Sequence, residues 1–93
     1  MRGRASEHAE RYAMNVEHLV TMANQIADFW VSESGPDAAA SDIASHITRF
    51  WDPRMRAAII AHAQAGGAGL QPAALAAVRA LKPVAVPAAS VAG

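Results

Sequence analysis

The middle of the chain contains a helix boundary, in the run His46-Ile47-Thr48-Arg49-Phe50-Trp51-Asp52-Pro53-Arg54-Met55-Arg56. Asp52 is a good N-cap, and Pro53 is a good first residue of a helix. A residue that precedes proline is pushed out of the α region, so the chain should turn at Asp52. The run therefore predicts that one helix ends at Trp51 and that the next runs from Pro53 to about Ala65.

Two helices are predicted on the N-terminal side of this boundary. The first starts near Ser6 or near Met14, and Gly35-Pro36 ends it. Its apolar residues recur every three or four positions, at Tyr12, Val16, Leu19, Ala23, Ile26 and Trp30. The second helix starts at Asp37 or Ala38. Its inward stripe is predicted to be Ile43, Ile47 and Phe50.

On the C-terminal side, the helix that begins at Pro53 should stop at Gly66-Gly67. One face of that helix carries Met55, Ile59 and His62. A fourth helix opens at Leu70-Gln71-Pro72 and closes at Pro83, with Leu75, Val78 and Leu81 inward. No segment alternates as a strand would, so the predicted class is all-α, a small bundle of three to four helices.

The chain divides into three predicted segments: an N-terminal extension over 1–13, a helical domain over 14–82 and a disordered tail over 83–93. The extension is either helical or frayed, and Met14 is an alternative start. The tail holds only Pro, Ala, Val, Ser and Gly and has no helical period.

The composition predicts a domain of marginal stability. Of the 93 residues 53% are hydrophobic, but about half of these are alanine, which buries little area. The chain has no cysteine, so disulfides, iron–sulfur ligation and thiolate chemistry are excluded. Association with another protein is the remaining source of extra stability.

Charge and hydropathy narrow the class of partner. The formal net charge is zero, whereas a nucleic-acid binder usually has a basic excess, so nucleic acid is not expected as a partner. No apolar run is long enough to cross a bilayer, and the N-terminus lacks the hydrophobic stretch of a secretory signal. The expectation is a cytoplasmic protein with no membrane contact.

A short internal repeat, which we call the internal echo, contains two adjacent Phe-Trp pairs. The pattern Ala-x-x-Ile-x-x-Phe-Trp occurs at 23–30 and again at 44–51. Adjacent residues of a helix point about 100° apart, so one ring of each pair should face the core and the other should face outward. Exposed Phe and Trp favour interfaces. The alternative is that a neighbouring helix covers them.

Charged residues surround the predicted turn. Arg54 and Arg56 fall in the first turn of a helix, where the dipole disfavours a cation by about 0.3–1 kcal/mol. Arg49 could pair with Asp52, but Arg54 and Arg56 have no evident local partner. They are either solvated or meet carboxylates of another protein. The predicted partner-binding residues are Phe29, Trp30, Arg49, Phe50, Trp51, Asp52, Arg54 and Arg56.

No catalytic, cofactor-binding or metal-binding residue is predicted. The four histidines show no ligand spacing with each other or with acidic residues. The glycine-rich run 65–69 joins two helices and lacks the Lys-Ser/Thr of a phosphate loop.

Two motifs carry a resemblance to a known family. Met22-Ala23-Asn24-Gln25-Ile26, together with the run 46–56, is similar to the delta subunit of soluble, NAD-dependent molybdenum formate dehydrogenases. The resemblance spans about Met14 to Leu81. It implies a non-catalytic accessory subunit that binds the large formate dehydrogenase subunit and supports assembly or stability. The molybdenum cofactor, iron–sulfur clusters, FMN and NAD are then expected on larger subunits, and none on this chain.

Three alternatives remain open from the sequence. One is a helical adaptor that self-associates as a homodimer through its aromatic stripe. Another is a cofactor-insertion chaperone that acts before the enzyme matures. The third is a helix-turn-helix regulator that reads DNA with its third helix, which the neutral charge disfavours.

Overall fold

The computed structural model describes residues 15–84, and these residues form four α-helices and no strand. The helices are α1 (Val16–Ser34), α2 (Pro36–Phe50), α3 (Pro53–Gln64) and α4 (Pro72–Ala80). The all-α prediction is therefore confirmed. The predicted extension over 1–13 and the part of the tail over 85–93 lie outside the described residues.

α1 and α2 pack side by side and are joined by a single residue, Gly35. The N-terminus of α1 is capped by Asn15, whose side chain accepts hydrogen bonds from the backbone N–H groups of Glu17 and His18 at 2.9 and 3.3 Å. Gly35 has φ 85° and ψ 158°, a conformation essentially restricted to glycine. Its N–H donates to the Val31 carbonyl in the last turn of α1, and its carbonyl accepts a hydrogen bond from the Ala39 N–H in the first turn of α2.

The boundary at Asp52-Pro53 forms as predicted, with one difference of register. The Asp52 carboxylate accepts a hydrogen bond from the Met55 N–H at 3.0 Å and so caps α3. However, α2 ends at Phe50, and Trp51 is extended with φ −90° and ψ 139°. This turn directs Trp51 into the core and leaves Phe50 68% exposed. The prediction that Phe50 lies on the inward stripe of α2 is wrong, because the ring buried at this end of the helix is that of the extended Trp51.

Side-chain hydrogen bonds hold the loop between α3 and α4 against α1. Gly66 and Gly67 take φ values of 122° and 68°, and they end α3 as predicted. The Asn24 side chain donates to the Gly69 carbonyl at 2.8 Å and accepts from the Gln71 N–H at 2.9 Å. The Gln71 side chain in turn donates to the Asp28 carboxylate at 2.8 Å. These bonds fix the start of α4 against α1.

The core lies where α2 packs between α1 and α4. Its buried residues are Leu19, Ala23, Ala27, Ala39, Ile43, Ile47, Trp51, Ile59, Ala63, Ala74, Ala77, Val78 and Leu81. On α4 the inward face is made by Ala74, Ala77 and Val78, whereas Leu75 is half-buried. Leu75 was predicted inward. The small alanines let α4 approach α2 closely and turn Leu75 towards the edge of the core.

Candidate functional site: an aromatic groove

An open apolar groove runs along α1 and is closed by the end of α2 and the start of α3. We call it the aromatic groove; its volume is about 540 Å³. Its lining residues are Met22, Gln25, Ile26, Phe29, Trp30, His46, Phe50, Trp51 and Met55. Both Phe-Trp pairs of the internal echo therefore meet in one surface feature.

The four rings divide into a buried floor and exposed walls. Trp51 is 4% exposed, Trp30 is half-buried, and Phe29 and Phe50 are 54% and 68% exposed. Phe29 packs edge-to-face on Trp30, with ring centroids 5.0 Å apart. The prediction that one ring of each pair faces inward is confirmed, and in both pairs the tryptophan is the inward ring.

Flexible apolar side chains complete the walls. Met22 and Ile26 extend the groove along α1, and Met55 closes it from α3. Methionine adapts its shape to a bound surface, which suits a docking site. His46 is a polar lining residue, and its ring lies 4.7 Å from that of Phe50.

Arg56 has an internal role that the sequence did not reveal. Its guanidinium donates to the Trp51 carbonyl at 2.6 Å and approaches the Thr48 carbonyl at 3.5 Å. Thr48 lies in the last turn of α2 and Trp51 is its C-cap, so Arg56 lies at the C-terminal end of this helix, where a cation is electrostatically favoured. The expectation that Arg56 lacks a local partner is wrong, because the turn at Trp51-Asp52 brings the end of α2 beside the start of α3.

Arg49 and Arg54 remain at the surface beside the groove. Each is exposed, and each directly precedes a groove-lining residue, Phe50 or Met55. Within residues 15–84, neither guanidinium makes a hydrogen bond or an ion pair, so Arg49 does not pair with Asp52. Arg49 suits the last turn of α2, whereas Arg54 opposes the dipole of α3.

Several residues of this site were not predicted. Met22, Gln25, Ile26, His46 and Met55 line the groove, but their grouping depends on how α3 packs on α1. Asn24, which holds the α3–α4 loop, was not predicted either; the only feature of the sequence that pointed to it was its position in the motif at 22–26.

In the described part of the chain, no three His, Asp or Glu side chains cluster closely enough to hold a metal ion. No helix described here is both long enough and apolar enough to span a bilayer.

A protein-family model matches this chain. The family model described as NADH-dependent formate dehydrogenase delta subunit FdsD matches residues 18–78, more than half of the chain. No curated protein and no solved structure matched. The matched range contains both motifs and all nine groove-lining residues. The chain therefore belongs to the delta-subunit family of NAD-dependent formate dehydrogenases.

Proposed function

We propose that this chain is a non-catalytic accessory subunit that supports assembly or stability of the formate dehydrogenase complex by binding its large subunit through the aromatic groove. The observation that carries the proposal is the exposure of Phe29 and Phe50 beside Trp30, on the same open surface. Exposed rings at the rim of a groove with a buried floor are typical of interface hot spots.

The two exposed groove rings, Phe29 and Phe50, are not needed to complete the core. Ile43, Ile47, Ile59 and Val78 are the largest side chains that are fully buried, and they come from α2, α3 and α4. Phe29 and Phe50 add little to this core because more than half of each side chain remains accessible. Binding a second protein would remove that apolar surface from water.

The proposal assigns redox chemistry to other subunits. Without cysteine, this chain has no thiolate with which to ligate an iron–sulfur cluster. We assign the molybdenum cofactor, the iron–sulfur clusters, FMN and the NAD site to the larger subunits. This chain would then act in the cytoplasm, as a protein-binding component of that complex.

The test is co-purification of the complex from cells that express the Phe29→Ser/Phe50→Ser double variant. We expect the variant chain to keep its helical content, whereas recovery of the large subunit with it falls at least about tenfold, as expected for the loss of two hot-spot rings. The matched control is Gln64→Ala/Arg79→Ala, which changes two exposed residues outside the groove. Trp51 is unsuitable because its removal would damage the core.

The outcomes separate this proposal from its alternatives. Recovery of the double variant equal to that of the wild type would rule out the groove as the docking site. A chain that is required for molybdenum incorporation but is absent from the active complex would indicate an insertion chaperone. A stable homodimer that does not dissociate when the large subunit is added would indicate a self-associating adaptor.

A further inference from the structure

Charges are segregated along the described chain. Before residue 49 the charged residues of 15–84 are all acidic: Glu17, Asp28, Glu33, Asp37 and Asp42. From residue 49 onward they are basic, namely Arg49, Arg54, Arg56, Arg79 and Lys82, with Asp52 as the exception. Residues 15–48 are therefore net acidic and residues 49–84 net basic, although the formal net charge of the whole chain is zero.

The groove lies across the division between the two halves. Its long wall is α1, which carries acidic residues and no Lys or Arg within its bounds. Its other wall is formed by the end of α2 and the start of α3, where Arg49 and Arg54 are exposed. Asp52 caps α3 through the Met55 N–H and keeps its negative charge, but Arg49, Arg54 and Arg56 outnumber it on this side. The side of the groove next to Phe50 and Met55 is therefore net positive, and we call it the cationic rim.

On the basis of the proposed function, we propose that the occupant of the groove is an amphipathic helix of the large subunit, with Asp or Glu residues along the flank that faces Arg49 and Arg54. The apolar face of this helix fills the space between Phe29 and Phe50. Its carboxylates receive the two guanidinium groups, which suit bidentate contact with carboxylates.

The length of the groove along α1 suits a short helix. On α1 the lining residues are Met22, Gln25, Ile26, Phe29 and Trp30, which recur every three or four positions along one face. From Met22 to Trp30 this face is about 12 Å long at 1.5 Å per residue. An occupying helix of two to three turns would present apolar residues at positions i, i+3 or i+4, and i+7 along this length.

A second copy of this chain fits the groove less well. Among residues 15–84, the exposed large apolar side chains are Phe29 and Phe50, and both already form the groove walls. From these residues a second copy could offer only its own Phe29 and Phe50, the rings that form the walls of its own groove. A partner helix with an apolar face could instead place its side chains between the two walls.

The occupant can be identified by photo-crosslinking in the assembled complex. Phe50→p-benzoylphenylalanine places the crosslinker on the groove wall, and mass spectrometry identifies the segment captured. We expect a large-subunit segment with apolar residues spaced by three or four and with Asp or Glu on one flank. Capture of a second copy of this chain, of another subunit, or of a segment without that pattern would overturn the inference.

Charge reversal tests the cationic rim separately. We expect Arg49→Glu/Arg54→Glu to lower recovery of the large subunit at least tenfold with helical content unchanged, and added salt to weaken the wild-type complex. Arg79→Glu, an exposed charge on α4, is the control and should bind normally. If charge reversal has no effect while Phe29→Ser/Phe50→Ser abolishes binding, the acidic helix is wrong and the docking groove stands. If neither variant affects binding, both are wrong.

Discussion

Two arginines lie two positions apart on α3, yet their surroundings differ. Arg56 donates to the Trp51 carbonyl at 2.6 Å, whereas Arg54 is exposed. Arg56→Ala should lower the free energy of unfolding by about 1–2 kcal/mol because it removes the side-chain donor to the part-buried Trp51 carbonyl at the C-cap of α2. Arg54→Ala should change that free energy by less than about 0.5 kcal/mol. Urea denaturation followed by far-UV circular dichroism measures both, and equal losses would show that the Arg56 bond is not stabilising.

Asn24 makes the hydrogen bonds that hold the α3–α4 loop to α1. Asn24→Ala should lower the free energy of unfolding by about 1–3 kcal/mol, because it removes a donor and an acceptor at once. Asn24→Asp keeps the acceptor for the Gln71 N–H, but it sets a carboxylate against the Gly69 carbonyl, so it should not restore stability. Ser32→Ala, an exposed change on the same helix, is the control. A wild-type unfolding midpoint for Asn24→Ala would contradict this role.

At the level of single residues, the sequence predicted roles that depend on neighbouring residues better than roles that depend on contacts with another helix. The capping role of Asp52 follows from its position before Pro53, and the structure confirms it. The burial of Trp51 depends on α2 ending at Phe50, so that Trp51 is extended, and helical periodicity does not determine the last residue of a helix. The contact from Arg56 crosses a turn between two helices, so no spacing rule within one helix could reveal it.

At the level of helices, the one-residue connection at Gly35 makes a direct prediction. Nothing lies within 4 Å of a Cβ placed there, so space is available for a side chain. Gly35→Ala should still lower the free energy of unfolding by about 1–3 kcal/mol, because φ 85° with ψ 158° is strained for any residue but glycine. The control is Glu33→Ala in the last turn of α1. Equal thermal midpoints for the two variants would show that the connection relaxes without strain.

The number and order of the helices could be predicted because each one carries its own signals. Proline stands at the start of α2, α3 and α4, and glycine follows the ends of α1 and α3. The echo between 23–30 and 44–51 also indicated that each pair would turn one ring inward and one outward. It could not show that both pairs line one groove, because α3 supplies Met55 to that groove from a third helix.

At the level of the whole molecule, the core is small for an independent domain. Six of the thirteen core residues are alanine. The isolated chain should therefore have a free energy of unfolding of no more than about 3–5 kcal/mol. Adding the large subunit should raise its thermal midpoint in a concentration-dependent way, since a ligand of the folded state stabilises it. A core this small supplies roughly 3–5 kcal/mol. A free energy of unfolding of about 8 kcal/mol or more for the isolated chain would therefore contradict the prediction of marginal stability.

The Gly35 connection also has a consequence for the rate and order of folding. Because one residue joins α1 to α2, closing this pair requires almost no loop entropy. The contacts between α1 and α2 are close in sequence, whereas the contacts between α2 and α4 join residues that are separated by α3 and the glycine-rich loop. Low contact order favours fast folding, so we expect the α1–α2 pair to form first and α4 to dock afterwards. On the ribosome this pair could form before the rest of the domain is synthesised, with its aromatic rings already in place.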